Sequence, residues 1–196
     1  DVPNQRSSHT RPTPRVGGLG VVAAFVLLLP LLWVMLLPDS SNWLFATRFG
    51  LALLGYVVIA GVGLIDDMRR IGPLTKYLGQ LIAALIAIWS EVTFIYLHVP
   101  FLGRLDLSLL GVAGGVIGAA LTIIWLTGFS NMFNFMDGID GLAGGSGMIY
   151  GLALAVVCSM TGHRLLAAGS LVLAAACLGF LVHNFPPARI FMGDVG

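Results

Sequence analysis

The sequence predicts an all-α integral membrane protein, a polytopic bundle of about six transmembrane helices forming one domain over residues 1–196. Three observations carry that expectation. The chain is 58% hydrophobic, with a mean hydropathy of +0.96. Only 10% of its residues are charged, where a soluble domain carries about 25%. Its apolar residues also fall in long runs, each near the ~20 residues that a helix needs to cross a bilayer.

Six such runs can be placed, at about 19–37, 48–65, 77–97, 108–128, 143–161 and 164–184. The first follows a polar, proline-rich leader that has none of the features of a signal peptide. The third carries Glu91 and His98 late, so its end is the least defined. The fourth holds Gly114, Gly115 and Gly118, small residues of the kind that let helices pack closely. The fifth and sixth are joined by a very short turn at Thr161-Gly162-His163. Cys158 and Cys177 lie inside apolar runs and read as small core residues, neither a disulfide framework nor a metal site. A net charge of +1 excludes a strongly basic nucleic-acid binder.

Six spans alternate sides. Segments 1–18, 66–76, 129–142 and 185–196 then share one side, and 38–47, 98–107 and 161–163 share the other. The first side holds Arg6, Arg11, Arg15, Arg69, Arg70, Lys76 and Arg189, seven of the ten basic residues. The positive-inside rule makes it cytoplasmic. Asp66, Asp67, Asp137, Asp140 and Asp194 fall on that same side, although the count did not use them. One aspartate at a helix centre costs ~2.5–3.5 kcal/mol on insertion, so such a cluster belongs at a rim, where it can hold a cation.

Four polar motifs make up this face. IDDMRR (65–70) places two adjacent carboxylates at the end of a span; they repel, and so favour a bound cation or one raised pKa. A solvated helix end would look the same. NMFNFMDGIDGLAGG (131–145) sets Asp137 and Asp140 three residues apart, on one face if helical, among glycines that let a ligand approach. A capping loop uses the same residue types, but an EF-hand calcium loop has a different spacing and a closing glutamate. PPARIFMGDVG (186–196) and the leader DVPNQRSSHTRPTPRVGGLG (1–20) are weaker, an Asp-containing turn and a basic segment with anion-binding donors. Together they combine carboxylates, amides and arginines. Mg²⁺ takes one or two carboxylates plus substrate phosphates and water, and arginines suit the phosphates left uncovered. The composite is a phosphate-chemistry site at a membrane surface. His98, His163 and His183 read as interfacial or packing residues, and His9 is the one histidine placed with the site.

The stretches DVPNQRSSHTRPTPRVGG (1–18), GLIDDMRRIGPLTKYLGQ (63–80), NMFNFMDGIDGLAGG (131–145) and FMGDVG (191–196) resemble, in the same order, those of the polyprenyl-phosphate N-acetylhexosamine-1-phosphate transferases, glycosyltransferase family 4. That family includes the phospho-MurNAc-pentapeptide translocase and the enzymes that start O-antigen and teichoic acid synthesis. The leader looks closer to the O-antigen-initiating branch, the peptidoglycan branch having a TPTMGG-like stretch.

The resemblance implies an enzyme that transfers a sugar-1-phosphate from a UDP-N-acetylamino sugar to undecaprenyl phosphate, with release of UMP and a need for Mg²⁺ (or Mn²⁺ in its place). It implies Asp194 as principal metal ligand, with Asp66 near the metal, and Asp66 and Asp67 as the catalytic aspartate pair. Asn134 and Asp137 would lie around the nucleotide sugar, Asp137 with a catalytic role. Gly138 and Asp140 would read the uracil, and Phe191 would stack on it. Arg70, His9 and Arg11 would help bind the anionic substrates. We favour direct attack by the lipid phosphate with Asp66 taking its proton, a job Asp67 could share. Homodimers occur in the family, so a second copy is a candidate partner beside the two substrates and the bilayer. The family also carries spans beyond GDxGS and a later His-containing loop, so this chain is expected to be the front and middle part of a longer enzyme. Two other classes compete. A transporter or channel would spread its carboxylates across the membrane depth. A non-catalytic scaffold would tolerate Asn at Asp66, Asp67 and Asp194.

Overall fold

The computed structural model describes residues 13–36 and 43–196. His9 and Arg11 therefore lie outside the described residues. Six α-helices dominate: α1 (Gly18–Leu36), α2 (Trp43–Arg69), α3 (Pro73–Trp89), α4 (Gly111–Met136), α5 (Leu142–Met160) and α6 (Arg164–Asn184). Among the described residues, five helices are long and apolar enough to cross a membrane. The sixth, α3, has 17 residues. The protein is an all-α, multi-pass membrane protein. Large apolar side chains such as Leu27, Val34, Ile124 and Val182 are more than half exposed on these helices. In water that would be costly; lipid tails remove the cost, and what remains to hold helices together is close packing.

The helices follow one another around the bundle, and α6 returns to α1. The α5–α6 contact is the most extensive, with α2–α3 and α1–α6 next. Small buried residues make the first possible: Ala143, Gly147, Gly151 and Ala155 on α5 face Ala167, Ala174 and Cys177 on α6. A Cβ on Gly147 would sit 2.7 Å from the Cys177 sulfur.

Three expectations need correction. The third span runs over 73–89, not 77–97. Pro73, with no N–H to waste, opens α3 at its first turn. Ser90 closes it, its Oγ bonding the Ala87 carbonyl at 2.7 Å, and Glu91 turns the chain with a left-handed φ of 66°. The apolar residues beyond form a small antiparallel hairpin, β1 (Tyr96–Val99) with β2 (Gly103–Asp106). β-branched and aromatic residues supply hydropathy to a strand as readily as to a helix, so the run looked longer than the helix. Secondly, α4 continues to Met136, past the expected end at 128, so Ser130, Asn131 and Asn134 are helical. Thirdly, Gly114 and Gly118 of α4 admit no second helix. A Cβ on either would collide with the Leu107 or the Phe94 carbonyl, and Gly115 faces open space.

Candidate active site

The segment after α6 folds back across the ends of α2 and α4. Its anchor is a short pairing with the residues before α1. Phe191 N–H donates to the Pro14 carbonyl at 2.8 Å, Gly17 N–H to the Phe191 carbonyl at 2.9 Å and Gly18 N–H to the Met192 carbonyl at 2.8 Å. Asn184, only 1% exposed, locks the turn from the other side. Its Oδ1 accepts the Gly141 N–H and its Nδ2 donates to the Ile190 carbonyl, each at 2.9 Å. Two glycines allow the crossing. At Gly63 of α2 any Cβ would overlap the Asp194 carbonyl, and Gly193, at a left-handed φ of 77°, sits against the Arg15 carbonyl and an Asp67 oxygen.

Four aspartates meet here from three parts of the chain. Asp137 caps the end of α4 and is 8% exposed. Its two oxygens accept the Met192 N–H at 2.9 Å and the Gly193 N–H at 2.8 Å. Asp67, in the last turn of α2, accepts the Val195 N–H at 3.1 Å. The Asp194 carboxylate is hydrogen-bonded by the Asn134 amide and by the Lys76 ammonium, and the same ammonium lies 3.6 Å from Asp66. Beside them a cavity of about 250 Å³ is lined by Lys76, Gln80, Asn134, Asp137 and Asp194, with Trp125, Phe129 and Phe133 on its apolar side.

Electrostatics separates the two carboxylates of the C-terminal crossing. Burial pushes Asp137 up to about 6, against the pull of the Gly193 and Met192 N–H groups and the Arg15 charge. Burial pushes Asp194 up as well, but hydrogen bonds to Asp66, Lys76 and Asn134 and the Lys76 charge outweigh it, so its carboxyl stays below its ordinary value. Asp194 is thus ionised at neutral pH.

The donor set suits one cation. Asp67 Oδ1 is buried without a hydrogen-bond partner, and such an orphan asks for a cation or a proton. Among the described residues, no group of three or more His, Cys, Asp or Glu side chains is arranged to hold a metal unaided. That combination does not fit an all-protein cage. It does fit Mg²⁺, which takes one or two carboxylates and leaves its remaining positions to water and substrate phosphate.

Of the expected site residues, Asp66, Asp67, Asn134, Asp137 and Asp194 come together. Phe191 does not serve as expected: at 2% exposed it is among the largest fully buried side chains, so its ring offers no face to a uracil and instead holds the crossing segment in place. Asp140 accepts the Ala188 N–H at 3.0 Å, which ties the residues after α6 to the α4–α5 turn. Gly138 is exposed in that turn. Arg70 is exposed just past the end of α2, outside the lining of the cavity.

Three residues of the site were missed from sequence. Lys76 bridges Asp66 and Asp194. Gln80 bonds Asn131 in both directions, at 3.3 and 3.0 Å, which braces α3 against α4 under the cavity. Asn184 holds the crossing. A signal existed for Lys76: a cation in the opening turns of a helix opposes the helix dipole, and so needs another reason to be there.

A family model described as glycosyl transferase family 4 matches residues 49–196. The chain belongs to glycosyl transferase family 4. Members of the family resemble it along its whole length. The decaprenyl-phosphate N-acetylglucosaminephosphotransferase of Mycobacterium tuberculosis (strain H37Rv) is 38% identical over 211 residues, covering 99% of this chain and 49% of the relative. The probable undecaprenyl-phosphate N-acetylglucosaminyl 1-phosphate transferase of Bacillus subtilis (strain 168) is 35% identical, over 100% of this chain and 51% of the relative. The phospho-N-acetylmuramoyl-pentapeptide-transferase of Levilactobacillus brevis is 34% identical, over 94% and 57%. The chain spans about half the length of the curated relatives it matches. Within the glycosyl transferase family 4 frame, the site described here is built from residues that this half contributes.

Proposed function

We propose that the intact protein transfers an N-acetylamino-sugar-1-phosphate from a UDP-sugar to undecaprenyl phosphate and releases UMP, as the initiating step of an O-antigen-like envelope polysaccharide. The active site faces the cytoplasm of a bacterial inner membrane. The observation that carries this reading is the meeting of Asp66, Asp67, Asp137 and Asp194 with Lys76 beside an open cavity at one end of a membrane bundle. The named relatives act on polyprenyl phosphates and N-acetylglucosamine phosphate, which supports the same substrate classes here.

The chemistry follows from charge. Both substrates are anionic, so they must be brought together against their own repulsion. Asp194 and Asp66 would hold Mg²⁺, with Mn²⁺ as a substitute. When bound, the metal supplies charge neutralisation at the diphosphate. Lys76 adds a second, permanent positive charge at the same rim, and Asn134 keeps Asp194 oriented. Asp66 takes the proton from the lipid phosphate; the freed oxygen attacks the β-phosphorus of the donor; the bond from that phosphorus to UMP breaks. Asp67 is held by the Val195 N–H and supports the crossing segment. The gathering of carboxylates at one end speaks against a transporter, whose charged groups would line the depth of the membrane.

The test is UMP release by the intact protein in membranes, with undecaprenyl phosphate, Mg²⁺ and a panel of UDP-N-acetylamino sugars. Release should need lipid and metal together and should vanish in Asp194→Asn. Full activity in Asp194→Asn, or release without lipid, overturns the proposal.

A further inference from the structure

The end of the bundle opposite the carboxylates holds a second cavity, of about 560 Å³. It opens between the start of α2, the exit of α3 and the α5–α6 turn. Its walls are apolar, with Phe49, Val92, Leu165 and Leu166. Its charged side chains are Arg48, Glu91 and Arg164, with His163 and Ser90 beside them.

Glu91 is the unusual member. Its φ of 66° lies in the left-handed region, which a side-chain-bearing residue enters only at a cost. The turn is secured by Glu91 N–H to the Ile88 carbonyl at 2.9 Å and Val92 N–H to the Ala87 carbonyl at 3.0 Å. The result is a carboxylate delivered to the Arg48 guanidinium, with which it forms an ion pair. The pair is not sealed: the two side chains are 37% and 59% exposed. Arg164 makes no ion pair among the described residues. Among the described residues, two guanidinium groups therefore share one cavity with a single carboxylate. Cation excess over an apolar wall, at the end of membrane-length helices, describes the complement of one kind of molecule.

We propose that this cavity binds a phospholipid with an anionic headgroup. Its phosphate sits between Arg164 and Arg48, and its chain runs along Phe49, Leu165 and Leu166. Guanidinium groups match phosphate oxygens through paired N–H donors. The apolar walls favour the lipid over a soluble phosphate, which would leave them wet. Glu91 then competes with the lipid for Arg48, so the bound state is one in which Arg48 turns from carboxylate to phosphate. This seat is separate from the carboxylate site and does not depend on the reaction proposed above.

The test uses the intact protein, released from vesicles of equal phosphatidylglycerol and phosphatidylcholine, with bound lipid counted by native mass spectrometry. Phosphatidylglycerol should be retained over phosphatidylcholine. Arg164→Gln should lower its retention by about tenfold, the order expected for one charge-assisted hydrogen bond. Glu91→Gln should raise it, because it frees Arg48. Opposite signs in the two variants are the signature, since damage to the fold would lower both; melting temperatures check that each remains folded. Equal retention of the two lipids, no change in Arg164→Gln, or a fall in Glu91→Gln overturns the proposal. Displacement of the lipid by free glycerol phosphate at equal concentration also overturns it, by assigning the cavity to a soluble anion.

Discussion

Asp137→Asn isolates what the α4 cap contributes. The amide is nearly the same size as the carboxylate, so packing is kept. The carboxylate accepts two backbone N–H groups, from Met192 and Gly193. The amide has one oxygen, so one donor keeps its bond and the other meets an NH₂ group. Leaving a buried N–H unsatisfied costs about 1–3 kcal/mol. Part of that is returned, because burial raises Asp137 to about 6 and the neutral amide escapes the cost of a buried charge. At neutral pH the rise to about 6 is worth roughly 3 kcal/mol, of the same order as the lost bond, so the readout is the difference between the two amides: the one that keeps its acceptor should exchange as before, and the one that meets the NH₂ group about tenfold faster. Hydrogen exchange at Met192 and Gly193 measures it directly, and UMP release should fall because Asp194 follows the same segment. Unchanged exchange at both amides would refute the reasoning. The pH dependence gives a second reading. The folded-state value lies above the ordinary 3.8, so the folded segment holds a proton that the open chain releases. The stability from that proton is complete below about pH 4 and is lost as pH rises through about 6. The difference between the protein and Asp137→Asn should therefore drift over that window and be flat above it.

Three further outcomes follow from the geometry. Gly63→Ala puts a methyl group into the Asp194 carbonyl; it should displace the crossing and abolish UMP release while α2 stays helical by circular dichroism. Lys76→Gln removes the cation between Asp66 and Asp194, so UMP release should fall by at least about tenfold, the order of one lost charge-assisted contact; an unchanged rate would remove Lys76 from the site. Asn184→Leu leaves the Gly141 N–H and the Ile190 carbonyl unpaired, at about 2–4 kcal/mol for two buried groups, which a lowered melting temperature in detergent would report.

Much of this architecture is legible without coordinates. Five helices of membrane length follow from local hydropathy, because transfer into lipid is a sum over residues and needs no partner. The common end for Asp66, Asp67, Asp137 and Asp194 follows from the alternation of spans alone. Errors arose where a local sum is ambiguous, as at Val92–Leu97, where apolar content belongs to a connecting loop and the first strand of a hairpin, and at Phe129–Met136, where amide-rich sequence stays helical.

Pairings are another matter. The Lys76–Asp194 contact joins residues 118 apart in sequence, and the Asp67–Val195 contact joins residues 128 apart. Nothing in either neighbourhood names the other. The same holds for Phe191, an aromatic that the family pattern assigns to substrate and the fold buries, and for Asn184, which looks like the polar end of a helix until both of its partners are in view. The sequence by itself determined the solvent, the helices and the face on which charge collects, because each is a property of single residues summed along the chain. Only the tertiary structure decided which carboxylates hold backbone, which one pairs with the Asn134 amide and which lysine stands between Asp66 and Asp194, because those are properties of pairs that the chain brings together only by folding.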